Sequence, residues 1–100
     1  ARVLAIENGQ YGIRSNMINP DAIFRDSKLW SPRIREERAQ AHGIPVEQVE
    51  DFYRQRTLLK TSVIAEDVAE TALFLAGDRS LKTTGSMIPV DGGGREAFPR

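Results

Sequence analysis

The sequence contains no cysteine, which excludes a disulfide scaffold, a thiolate metal site and a cysteine nucleophile. A single histidine, His42, leaves no cluster to hold zinc or a redox metal. Lysine is scarce: three stand against eleven arginines, which suits local guanidinium–carboxylate pairing more than a diffuse positive field. Fourteen basic residues cancel fourteen acidic ones, so the charge signature of a nucleic-acid binder is missing. That also removes the case for a helix-turn-helix reader resting on Arg-rich short helices. No apolar run approaches the roughly 18 residues of a membrane helix, and no signal-peptide pattern opens the chain. These absences predict a cytoplasmic chain with neither nucleic acid nor membrane as partner. With 100 residues, 40% of them apolar, it is one small folded domain at most.

What is present reads as alternating helix and strand. Ala1, Leu4, Ala5 and Asn8 share one helical face, and Gly9 follows as a stop. No capping residue precedes Ala1, so this helix is expected to begin upstream and the chain to be a fragment. A turn over 10–12 leads to a strand over 13–19. Met17 and Ile18 are adjacent apolar residues, as where both faces of a sheet are covered, and Pro20 ends the strand. Residues 21–59 read as loop and short helix. Ser31 is an N-cap with Pro32 at the first helical position, and Gly43 closes that helix after His42. Its body has Ile34 as the only large apolar residue and is expected to bury little. A second short helix, over 45–56, carries a thin stripe of Val46, Val49 and Phe52. The whole segment has the character of a mobile lid.

The pattern over 65–76 is the strongest. Val68, Ala72 and Leu75 recur at helical spacing, Glu66 and Asp67 sit in the first turn, and Gly77 ends the helix. A short strand over 86–90 follows, bounded by Asp91 and three glycines. Strand, helix, strand predicts a parallel pair. Pro89 lacks an amide proton, so its nitrogen should face away from the first strand. Two strands bury too little to stand alone.

Tyr11-Gly12-Ile13-Arg14, Asn16 and Pro20, then Glu66-Asp67-Val68-Ala69, then Thr84-Gly85 and Val90-Asp91-Gly92-Gly93 occur in order. The series resembles the C-terminal part of the short-chain dehydrogenase/reductase family and covers nearly the whole chain. Asn19-Pro20-Asp21-Ala22 and Ala97-Phe98-Pro99-Arg100 are similar to dehydrogenase domains fused behind a class II aldolase-like domain of sugar metabolism.

The resemblance implies an α/β fold: the C-terminal fragment of a Rossmann-type doubly wound parallel sheet, with 21–59 as its substrate-loop region. It implies hydride transfer between NAD or NADP and a carbonyl or alcohol, in an oligomeric parent protein. The family's Tyr and Lys proton relay and its glycine-rich phosphate turn have no match among these residues. They are expected upstream, so the chain alone is predicted to be inactive and to bind cofactor weakly or not at all. No catalytic or metal-binding residue is assigned within it. What the resemblance leaves here is the rim of the cofactor site: Pro20, Asp21, Ala22 and Ile23, at the carboxyl end of a strand, with Arg25 beside a phosphate. Ile23 matches the residue whose backbone meets the nicotinamide carboxamide. Asp21 replaces the family's usual glycine; it either sits in that turn beside the ring or caps the turn locally. Trp30, Phe52 and Tyr53 read as packing before substrate contact, and His42 as a helix-end residue. Arg33, Arg35, Arg38, Arg54 and Arg56 would suit an acidic or phosphorylated sugar derivative, but five neighbouring acids neutralise most of that charge. Asn16 is expected to tie backbone between strands. The competing reading is a small, non-catalytic helical domain for protein interaction or assembly.

Overall fold

Two tetrapeptides carry the sheet. In the computed structural model, which describes residues 1–24 and 28–94, β1 is Met17–Pro20 and β2 is Met87–Val90. The expectations placed on Arg25 and on 95–100 lie outside the described residues. The strands pair in parallel, Met17 beside Met87 and Pro20 beside Val90. β1 is shorter than the expected 13–19 and runs one residue further. Polar side chains explain the lost half. Ser15 N donates to Thr84 Oγ1 (3.0 Å), Asn16 Nδ2 donates to Thr83 O (3.1 Å), and Asn16 Oδ1 accepts from Ser86 N (3.1 Å). They take the backbone positions a ladder would use. One main-chain bond, Gly85 N to Ser15 O at 2.8 Å, precedes the regular ladder, which opens where Met17 N donates to Ser86 O at 2.9 Å. Asn16 ties the two segments together, as expected.

Ser86 O and Val90 O both accept from β1, through Met17 N and Asp21 N. By strand alternation Pro89 therefore faces the opposite edge, and among the described residues no strand lies there. Its missing N–H costs no ladder bond.

Helix α1, Arg2–Asn8, lies beside the start of β2, its buried Ala5 facing Gly85, and Val3, Met17 and Met87 line an open groove there. The expected stop at Gly9 is not one. Gly9 keeps helical angles (φ −57°), the chain continues as a 3₁₀ turn over Gly9–Tyr11, and Gly12, at φ +78°, ends it. The C-terminal helix of the chain, Ala65–Ala76, has the expected bounds and lies on a face of the pair, where Ile18 meets Ala72 and Leu75. Its start is held by Asp67, whose carboxylate accepts from Ile64 N at 2.9 Å. Its end is not a left-handed glycine, since Gly77 is extended. The buried Ser80 hydroxyl instead reaches the carbonyls of Phe74 (2.8 Å) and Leu75 (2.9 Å), and Arg14 Nη2 donates to Gly77 O at 3.4 Å. The apolar stripe does not bury as expected: Val68 and Leu75 are half-buried and Ala72 is exposed. Two short strands offer too little area to cover it.

The core lies in the excursion between the strands. It is built by α2 (Pro32–His42), a 3₁₀ turn over Val46–Gln48, and α3 (Val49–Gln55), so Ala65–Ala76 is α4. Ser31 Oγ accepts from Ile34 N, Pro32 opens α2, and Gly43 closes it at φ +65°. Phe24, Ala39 and Val49 form the buried centre, with Ala22, Trp30, Ile44 and Tyr53 packed against it. The expectation that α2 buries little holds, with Ala39 as its one buried residue. Ala39 is only 4% exposed, because its small side chain lets α2 approach Phe24 and Val49 closely. The stripe on α3 is narrower than expected, with Val49 buried and Val46 at the surface. No described helix is long and apolar enough to cross a membrane.

Candidate functional site

The carboxyl ends of β1 and β2 lie side by side, and the chain leaves β1 through Pro20, Asp21, Ala22 and Ile23. Open parallel sheets bind ligands at this end. The turn is fixed at both sides. Asp21 N donates to Val90 O at 3.0 Å, while Ala22 packs against the buried centre of the excursion, whose Phe24 is 4% exposed. Between these anchors Ile23 is half-buried, and neither its N–H nor its carbonyl has a partner among the described residues. A half-buried backbone donor and acceptor without partners among the described residues can take a planar amide. Pro20, Asp21, Ala22 and Ile23, consecutive in sequence, occupy this strand end.

The other wall is the turn after β2. Gly92 and Gly93 both have positive φ (65° and 83°), and Asp91 Oδ1 accepts from Gly93 N at 2.9 Å. The end of the excursion fastens onto them. Leu58 N donates to Gly93 O at 2.8 Å, Leu59 N donates to Gly92 O at 2.9 Å, and Thr57 bridges Gly94 in antiparallel fashion. A Cβ at Gly93 would stand 3.0 Å from Leu58 Cβ, so glycine serves both the angle and the approach. Thr57 is buried with its hydroxyl donating to Arg54 O (2.9 Å) and accepting from Thr61 N (3.2 Å). The segment therefore leaves and returns at one place.

The expected arginines divide. Arg33 pairs with Glu37 at the surface, and Arg54 with Asp51 and Glu50. Arg56 lies over the Tyr53 ring, and Arg35 turns inward to main-chain carbonyls. Trp30 and Tyr53 pack with Phe24 in that buried centre, in line with the packing reading. His42 ends α2, stacked on Phe52 with Nε2 3.3 Å from the Tyr53 hydroxyl. Among the described residues no cluster of His, Asp and Glu can hold a metal. The clasp through Thr57, Gly92 and Gly93, and the inward turn of Arg35, are not expected from the sequence. The glycine run hints at the first; Ala39, four residues after Arg35 and hence on its helical face, hints at the second.

A family model described as enoyl-(acyl carrier protein) reductase matches residues 1–94. The uncharacterized oxidoreductase YuxG of Bacillus subtilis is 48% identical over 100 residues, all of this chain and 14% of that protein. L-xylulose reductase of Bos taurus is 34% identical over 94 residues, covering 92% of this chain and 33% of the relative. Among solved structures, sorbitol-6-phosphate 2-dehydrogenase SrlD of Erwinia amylovora is similar with a TM-score of 0.85 and 29% identity. That match covers 93% of this chain and 36% of the SrlD chain. The chain thus spans about a third or less of the length of these relatives.

Proposed function

This chain belongs to the short-chain dehydrogenase/reductase family by its ordered motifs and by the match over residues 1–94, and we propose that it is part of an NAD- or NADP-dependent oxidoreductase. The reaction is hydride transfer between nicotinamide and the carbonyl or alcohol carbon of a polyhydroxylated, sugar-type substrate. Two similar proteins are named for xylulose and sorbitol 6-phosphate, which supports that substrate class. In this reading the chain supplies the sheet edge and the substrate loop, 21–59. The proton-transferring Tyr and Lys and the phosphate turn come from residues before Ala1, and the parent protein is a cytoplasmic homo-oligomer. The helical interaction-domain alternative has no observation in its favour.

One observation carries the reading: the N–H and carbonyl of Ile23, without partners among the described residues, at the carboxyl ends of the strands. A carboxamide has one acceptor and one donor side, so these two groups fit it without any side chain. When bound, the nicotinamide supplies or accepts the hydride. Ile23 orients the ring through its amide. Asp21, with no side-chain partner among the described residues, offers a carboxylate acceptor to substrate hydroxyls at the same rim. The lid core of Phe24, Val49, Trp30 and Tyr53 excludes water above the reacting carbons.

The test is turnover by the full-length protein with NAD(H) and NADP(H) against neutral and phosphorylated ketoses and polyols. Turnover with one cofactor and at least one such substrate is the expected result. Failure with both cofactors across that panel overturns the reading.

A further inference from the structure

We infer that Arg35 is a positioning residue for the nicotinamide-facing turn, acting only through main chain; this rests on the function proposed above. Its guanidinium uses one edge. Nη2 donates to Phe24 O at 2.7 Å and Nε donates to Trp30 O at 3.1 Å. The cation also lies 5.5 Å from the centre of the Phe24 ring. Phe24 follows Ile23 directly, so the carbonyl that Arg35 holds belongs to the next residue along. The strand end fixes Asp21, and Arg35 fixes Phe24; the N–H and carbonyl of Ile23 hang between them.

The arrangement requires arginine rather than a positive charge. Two parallel donors in one rigid plane bind two carbonyls six residues apart, which a lysine ammonium on a flexible stem cannot reproduce. Arg35 is itself held by α2, whose start is set by Ser31 and Pro32 and whose Ala39 packs in the lid core. It meets no acidic partner among the described residues, unlike Arg33 and Arg54. Among the described residues its hydrogen bonds serve only the loop.

The experiment uses full-length protein carrying Arg35→Lys, Arg35→Gln or, as a surface control, Arg33→Gln. Both Arg35 variants should raise the KM for the nicotinamide cofactor about tenfold or more while kcat stays within about threefold. Arg33→Gln should change neither. Wild-type KM in Arg35→Lys overturns the proposal, because charge alone would then suffice. A lowered kcat with unchanged KM also overturns it, because that marks fewer folded molecules and no displaced turn. Amide hydrogen exchange without cofactor supplies the second measurement. Ile23 and Phe24 should exchange faster in both Arg35 variants while α4 is unaffected; unchanged exchange at both amides overturns the proposal. A wild-type protein with no turnover would defeat the proposed function, and the exchange result would still decide the role of Arg35.

Discussion

At the scale of single residues, two glycines of the same chemistry carry opposite consequences. Gly93 sits at φ +83° with its absent Cβ 3.0 Å from Leu58, at the clasp that returns the excursion to β2. Gly93→Ala should cost about 2 kcal/mol or more, from the left-handed backbone and the displaced Leu58 together. Gly9 has helical angles and open space around its missing Cβ. Gly9→Ala should leave stability unchanged or raise it by about 0.5–1 kcal/mol. Denaturant unfolding of the full-length protein separates the two, and equal effects would contradict the geometry. Of the two, sequence reasoning misread Gly9. It took Gly9 as the stop because apolar periodicity ends there, whereas the chain tightens into a 3₁₀ turn and stops at Gly12. Polar residues were read better: Asn16 within the expected strand has little to do except satisfy backbone, and it does so.

At the scale of elements, the helix with the strongest pattern is not the one that buries most. The bounds of α4 were legible because Val68, Ala72 and Leu75 keep one period, yet no residue of α4 is buried. Periodicity announces a face that seeks cover; it says nothing of whether cover is at hand. Helix α2 is the reverse case. Its sequence is mostly charged, and the residue that seats it is Ala39, which no hydropathy count would single out. The partner is Val49, 1% exposed, at the first position of α3. Val49→Ala should remove about 2 kcal/mol from the lid, by lost transfer energy plus a small cavity. That loss should be local. Hydrogen exchange should quicken in α2 and α3 while the amides of β1 and β2 keep wild-type rates, and uniform acceleration would show the lid and sheet to be one unit. In the candidate site, Pro20 to Ile23 was legible because a proline ends an apolar run at a strand's carboxyl end. The closing wall was not, since Leu58 and Leu59 meet Gly92 and Gly93 through backbone groups that carry no residue-type signal.

At the scale of the whole molecule, apolar area lies open on both α1 and α4. Ile6 is 82% exposed on α1 and Leu73 68% exposed on α4, with Val3 and Leu4 also bare. At roughly 25 cal/mol per Å², a few hundred Å² of such surface amounts to several kcal/mol, comparable to a small domain's whole stability. The 100-residue chain purified by itself is therefore expected to self-associate, with apparent mass rising with concentration in sedimentation. A strictly monomeric, folded species at high micromolar concentration would show that these faces need no cover. The same preparation should give no heat of binding with NAD or NADP at micromolar protein. The clasp has a different consequence. The chain departs beside Val90 at Asp21 and comes back beside Gly92 to Gly94 at Thr57, so both ends of the intervening segment rest on one strand terminus. It carries its own buried centre and draws none of it from the sheet. A stretch built in this way is a cassette: evolution or an engineer can exchange it between relatives by cutting at two neighbouring points, without rebuilding the scaffold that holds it.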